Sequence, residues 1–253
     1  MRSTGAEPVR STASESVLIK QAEQLLLVES ADWNRSQALL QRFARPRFGA
    51  PFARIGAPFT AWIGRAGMAW RSDRDVADPQ VGAGPRKQEG DGRSPAGVFA
   101  LGDLWGYAAA APPGVRLPYH AISDSDRCVD DPDSPDYNQL RRAPVGAREP
   151  WLSAEHLRMT TDHYKLLVPV DYNHLLSVAG PRPRPRAGSC IFLHIAPAPG
   201  AATAGCTALA EADLRQIVAW LDPKGGPLLV LLPTPARRVA KERWGLPAEL
   251  FAP

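Results

Sequence analysis

The chain has 253 residues, enough for a substantial core, and its 44% hydrophobic and 22% charged content is that of an ordinary globular protein. Its 26 prolines and 21 glycines argue for many turns and against a helical bundle. The formal charge of +4 is a matter of solubility before binding, and with no arginine-rich helix or aromatic–basic platform no nucleic-acid partner is expected. No apolar run reaches the roughly 18 residues of a membrane span, so no transmembrane segment is expected.

In chain order, residues 1–20 read as a disordered or processed tail, since Met1 to Ser16 is polar and has no apolar stretch behind Arg2. Leu25-Leu-Leu-Val28 is a short buried strand. Asp32 is placed to cap a helix running to about Phe43, with Leu39, Leu40 and Phe43 as its apolar positions. Phe59 to Ile63 alternates as a strand does, and Gly64 with Gly67 marks a hairpin turn. Arg71 to Pro95 is a long polar connection of the kind that often carries function, and it leads into a strand from Gly97 to Leu101. The irregular section 107–163 reads as an insertion or a substrate-side cap. Lys165 to Tyr172 and Ser189 to Ile195 are central strands, joined by a loop bearing Arg182-Pro-Arg-Pro-Arg186. Glu211 to Leu221 is a helix with Leu214, Ile217, Val218 and Leu221 on one face, and Pro227 to Leu232 is a final buried strand. The sum is a mainly β, α+β fold with two or three helices, a single domain over 21–253 and no internal repeats.

The chemistry gathers at His194 and Cys206. The apolar run Ser189 to Leu193 delivers His194 on a strand, a small-residue loop follows, and Cys206 lies near a helix start. A thiol becomes a nucleophile on ionising, and an adjacent imidazole or helix N-terminus lowers its pKa. Gly205 leaves room for a carbonyl and frees backbone N–H groups to face an oxyanion. The plainer readings are a buried structural cysteine and a satisfied core histidine. His194 precedes Cys206 by 12 positions, the reverse of the order in papain-like proteases.

His194 followed by Thr203-Ala-Gly-Cys206 resembles the signature of the L,D-transpeptidases of bacterial cell walls, the YkuD-type catalytic domain. The segment Lys87 to Phe99 is similar to the family's Ser/Thr-Pro-x-Gly-x-Phe strand, and Tyr119-His120 and Val129 to Asn138 resemble further blocks. The resemblance runs from about Leu25 to about Pro233. It implies a sandwich or barrel core with a cysteine-bearing loop next to a helix. It also implies a thioester enzyme acting on peptidoglycan stem tetrapeptides with release of D-Ala, carbapenem inhibitors, and a periplasmic or cell-envelope location. Cys206 is then the nucleophile, His194 the general base and Gly205 the oxyanion donor. Thr203, Tyr119, His120, Tyr137 and Asn138 are candidates for the substrate side. Many members carry Arg two positions after the cysteine, where this chain has Ala208, which leaves that role to Arg86, Lys87 or Arg93, or leaves it unfilled.

No cofactor is implied, and no Cys-x-x-Cys or paired histidines suggest a metal. Cys128 and Cys190 stay open between a disulfide and two buried thiols. His120 is a second active-site histidine or a surface one. Asp130-Asp131 are paired carboxylates or, with Pro132 next, a turn that positions Tyr137 and Asn138. The Arg182–Arg186 loop is a stiff solvated loop or a contact for substrate carboxylates. Glu89 and Asp91 would repel a phosphate. Hydrolysis at the same Cys-His site and a silent wall-binding domain are the rival functions. A sortase-like enzyme ranks below both, because its histidine and cysteine lie much further apart.

Overall fold

The structure is a computed structural model that describes residues 15–73, 84–144, 146, 148–177 and 181–251. Expectations for residues 1–14 and 74–83 lie outside the described residues. The principal sheet contains β1 (Gln24–Ser30), β2 (Gln37–Ala44), β3 (Ala53–Trp62), β4 (Met68–Trp70), β5 (Ser94–Ala100), β6 (Leu104–Gly106) and β7 (Tyr119–Ala121). Three short strands, β8 (Asp126–Cys128), β9 (Leu140–Arg142) and β10 (Glu155–His156), form a separate sheet in the order β10-β8-β9. The chain then returns to the principal sheet as β11 (Leu166–Pro169), β12 (Phe192–Ile195), β13 (Thr207–Leu209) and β14 (Leu228–Pro233). Helices are α1 (Glu15–Gln21), α2 (Glu211–Trp220) and α3 (Arg237–Val239), the last extended by a π turn over Ala240–Trp244.

The strand order is β4-β5-β14-β1-β2-β3-β13-β12-β11-β6-β7. Near its ends the sheet meets itself. The Asp171 amide donates to Ala100 O and the Gly102 amide to Pro169 O, both at 2.9 Å, so β5 and β11 close a barrel. β1 and β14 pair in parallel as interior strands of the sheet and are buried at nearly every position, as strands covered on both faces are. Leu26, Val28, Leu229 and Leu231 point inward, while Leu25, Leu27, Leu228 and Val230 pack outward against α1 and the C-terminal helices. A third cluster on the outside joins the β8–β10 sheet to β11 and β12.

Three expectations need correction. Residues 37–44 form β2 instead of a helix. Leu40 faces the barrel interior, Phe43 the outer core, and Leu39 is 54% exposed, so their helix-like spacing marks no common face. Antiparallel pairing with β1 and β3 overrides the local pattern, and Asp32 instead holds a turn by accepting the Asn34 and Arg35 amides. Gly64 and Gly67 do make a tight turn, and a Cβ on Gly67 would lie 2.1 Å from Trp33 O. The turn makes no hairpin, however, because β4 pairs with β5 and not with β3. Residues 15–20 of the expected tail belong to α1, whose Leu18 and Ile19 are buried and whose terminal carbonyls accept from Arg45.

Leu231 is fully buried inside the barrel. Leu231→Ala is expected to cost about 2–5 kcal/mol in chemical denaturation, and a cost under about 1 kcal/mol would contradict the barrel core.

Candidate functional site

The alternation of β12 decides which side chains meet. Leu193 and Ile195 enter the barrel core, so Phe192 and His194 face outward beneath the β8–β10 sheet. β13 runs parallel to β12 with Leu193 opposite Thr207 and His194 opposite Ala208. Cys206, one residue before β13, therefore comes beside Phe192. Its Sγ accepts the Phe192 amide and donates to Cys190 O, both at 3.3 Å, and the residue is 8% exposed. β13 lies between Cys206 and α2, so the expected helix start next to the thiol is replaced by a strand.

The loop before Cys206 is held from inside. Thr203 Oγ1 donates to Cys206 O at 2.7 Å and accepts the Gly205 amide at 3.1 Å. Thr203 therefore shapes the loop, and the Gly205 N–H expected at an oxyanion is already engaged. Gly205 packs closely: a Cβ there would sit 3.1 Å from both Arg93 O and Ile191 Cδ1. Ser94, fully buried, accepts the Gly64 amide at 3.0 Å and donates to Gly205 O at 2.7 Å. Sequence reasoning missed it as a site residue, although it opens the Ser-Pro-x-Gly-x-Phe segment.

His194 Nδ1 lies 2.8 Å from Ile195 O. A carbonyl only accepts, so Nδ1 carries the proton and Nε2 the lone pair. Burial lowers the pKa of this imidazole to about 4. The Cys206 thiol moves the other way: burial pushes it well up, the Glu155 charge adds to this, and the Phe192 amide and Lys87 oppose it. Both shifts favour the neutral forms near pH 7, the opposite direction from a thiol ionised at rest by its histidine. The two cysteines left open are joined, Cys128 to Cys190, tying β8 to the backbone that holds the thiol.

The family model for the L,D-transpeptidase catalytic domain, YkuD, matches residues 63–230, a span that contains Ser94, His194 and Cys206. The chain belongs to this family. Among solved structures it is similar to Bd1075 of Bdellovibrio bacteriovorus, at 15% identity and a TM-score of 0.37, covering 87% of this chain and 53% of that one. It is also similar to the helical cell shape determining protein Pgp2 of Campylobacter jejuni, at 15% identity and a TM-score of 0.37, covering 84% and 48%. The chain thus spans about half the length of these structures. No curated protein matches it.

Beside this transpeptidase-type cysteine lie two further groups that sequence reasoning missed. Tyr164 ends a 3-10 turn (Asp162–Tyr164) and sets its ring edge-on to His194, 5.3 Å between centroids, and to Phe192 at 5.6 Å. Its hydroxyl donates to Glu155 on β10. Burial first, then the charges of Asp130 and Glu89, raise the Glu155 carboxyl to about 7 against the pull of Tyr164. Neither residue sits in a local pattern that announces it; only the folded section 126–164 brings them to the thiol.

Several predicted substrate-side residues are committed within the fold. Tyr137 is buried, donates to Glu89 and accepts the Gly188 amide at 3.1 Å. Asn138 is fully buried at φ +54°, its Nδ2 donating to Tyr172 O and Asn173 O while its Oδ1 accepts the Cys190 amide at 2.8 Å. Arg93 donates to Trp33 O, Met68 O and Asn34 Oδ1. Lys87 is 3% exposed and paired with Asp91 at 2.5 Å, yet its charge reaches the thiol.

Tyr119 donates to Ala108 O. His120 pairs with Asp103 at 2.7 Å and stacks on Trp105. It shares the outer face with His194 but lies on β7, three strands from β12, or about 14 Å at the usual strand spacing. Asp131 accepts the Asp133 and Leu152 amides, which is the turn reading. Arg186 forms an exposed pair with Asp133.

Ser94→Ala would leave the buried Gly64 N–H and Gly205 O without this partner, an expected loss of about 1–3 kcal/mol in denaturant unfolding, and an unchanged midpoint would contradict the anchoring role. A second expectation concerns pH. His194 is neutral in the folded protein down to about 4 but takes its proton near 6.5 when unfolded, so its contribution is full above 6.5 and is lost as pH falls toward 4. Glu155 stays protonated to about 7 when folded and ionises near 4.5 when unfolded, so its contribution is full below 4.5 and is lost as pH rises toward 7. Between 4.5 and 6.5 the two proton differences cancel. Glu155→Gln should therefore expose the histidine, losing stability on acidification through this window by up to about 1.4 kcal/mol per pH unit relative to wild type. Parallel stability profiles would contradict these assignments.

Proposed function

We propose that the protein is a peptidoglycan L,D-transpeptidase acting through a thioester on Cys206. The observation that carries this reading is a buried thiol beside Phe192, two positions along β12 from a histidine on the same face whose protonated nitrogen is committed to Ile195 O, within a chain of this family. The Cys206 proton passes to His194 Nε2 as sulfur attacks the carbonyl carbon of the third stem residue. The C–N bond to D-Ala then breaks, and His194 returns the proton to the departing amine. An acceptor amine attacks the thioester, gives its proton to His194 and forms the new amide, while sulfur leaves and is reprotonated. Water in place of the amine yields a tripeptide.

The Gly205 amide is occupied, which leaves the Cys206 amide as the loop's donor to the developing oxyanion. Because the thiol and imidazole are both neutral at rest, the proton moves only once substrate has aligned them. The work is done at the cell wall, so the protein operates in the periplasm or cell envelope. Its partners are stem peptides, and carbapenems are its expected inhibitors.

The test is mass spectrometry of disaccharide-tetrapeptide after incubation with wild type and Cys206→Ala. Dimers with released D-Ala, absent for the variant, are the expected outcome. Tripeptide alone would make the enzyme a carboxypeptidase, and unchanged substrate would contradict the reading in favour of a silent wall-binding domain. A carbapenem should add one drug mass to wild type and none to Cys206→Ser; no adduct on wild type would count against an open acylation site.

A further inference from the structure

A run of contacts crosses the outer face of the barrel. Cys206 donates to Cys190 O, and Cys190 is bonded to Cys128 on β8. Cys128 stands opposite Glu155 on β10, Glu155 accepts from Tyr164, and Tyr164 packs edge-on against His194. The disulfide and the β8–β10 ladder thus carry one carboxyl group from a distant segment to the catalytic pair.

We propose that Glu155 is a positioning residue of this site: held by Tyr164, its carboxylate keeps Cys206 protonated in the free protein and governs when the thiol can ionise. The inference rests on the reading of Cys206 as the nucleophile. A second negative charge close to a buried thiolate is unfavourable, so an ionised Glu155 and an ionised Cys206 oppose each other. The thiol is also faced by Lys87 from the connection before β5 and by Tyr164 from the 3-10 turn. Glu155 is in turn faced by Asp130, whose Oδ1 is buried with no partner, and by Glu89. Lys87, paired with Asp91, is a cation whose charge favours the thiolate. The two acids therefore titrate as a coupled pair. Tyr164 links them to the base, since the ring that carries the Glu155 hydrogen bond is the one that packs on His194.

The test is the pH profile of Cys206 alkylation by iodoacetamide in the free protein, read by mass spectrometry for wild type, Glu155→Gln, Glu155→Ala and Glu155→Asp. Both neutral variants should move the profile to lower pH. A shift of about one unit raises the thiolate fraction roughly tenfold and, allowing for its lower nucleophilicity, the rate below the transition about threefold. Glu155→Asp, which keeps the charge, should stay near wild type. Either neutral variant suffices if the other fails to fold. Profiles that superimpose on wild type would overturn the proposal, as would an equal shift in Glu155→Asp, which would assign the effect to packing. Because alkylation needs no stem peptide, this outcome is independent of whether tetrapeptide is turned over, and the two readings fail separately.

Discussion

The site depends on a backbone cradle for one sulfur atom. Cys206 Sγ sits between the Cys190 carbonyl, which accepts its S–H hydrogen bond, and the Phe192 amide, which points at its lone pairs. That cradle requires Cys190 to adopt φ +54°, a conformation unfavourable for a residue with a side chain. Asn138 holds it there by accepting the Cys190 amide, and Asn138 is itself at positive φ and bonded to the carbonyls of Tyr172 and Asn173. The disulfide to Cys128 fixes the same residue from the side of the cap. The unfavourable conformation of Cys190, which cradles the thiol, is thus maintained by a buried polar side chain and a disulfide from distant parts of the chain.

The barrel supplies the rigidity that this arrangement needs. Alternation along β12 sends Leu193 and Ile195 into the core and leaves His194 outside with its ring fixed by Ile195 O. Parallel pairing with β13 brings the residue before Thr207 level with Phe192. Ser94 then ties the nucleophile loop to the start of β5 on the other side of the site. A neutral thiol and a neutral imidazole are the natural result of such burial, since each would lose solvation on charging. In the proposed reaction, activation falls to the substrate, which both excludes water and brings the two groups into line.

Much of this was legible in the sequence, for identifiable reasons. The strands at 25–28, 97–101 and 227–232 are short apolar runs bounded by turn residues, and the helix from Glu211 has a strong 3.6 period, so local pattern and tertiary structure agree. The order His194, Thr203, Gly205, Cys206 was readable as the family's signature, and the family model matches the span that contains it. Residues 37–44 were misread because Leu39, Leu40 and Phe43 mimic a helical face, and only pairing with β1 and β3 separates them. Glu155 and Tyr164 were invisible because their roles exist only after β10 pairs with β8 and the 3-10 turn folds under it. The roles of Asn138 and Tyr137 were assigned to substrate because polar residues in a motif suggest binding; here they bond the fold around the thiol.

The central claim is that the resting nucleophile is a neutral thiol, cradled and desolvated, and not one half of a preformed ion pair. It is tested most directly by titrating the ultraviolet absorbance of the thiolate in the free protein, as a difference against Cys206→Ala so that tyrosines cancel. With Cys128 and Cys190 joined, Cys206 is the sole thiol that can contribute. No thiolate below about pH 9, above the ordinary value of about 8.5 for a free cysteine, is the predicted result. A thiolate that appears at or below pH 7 would contradict it and restore a cysteine activated before substrate arrives.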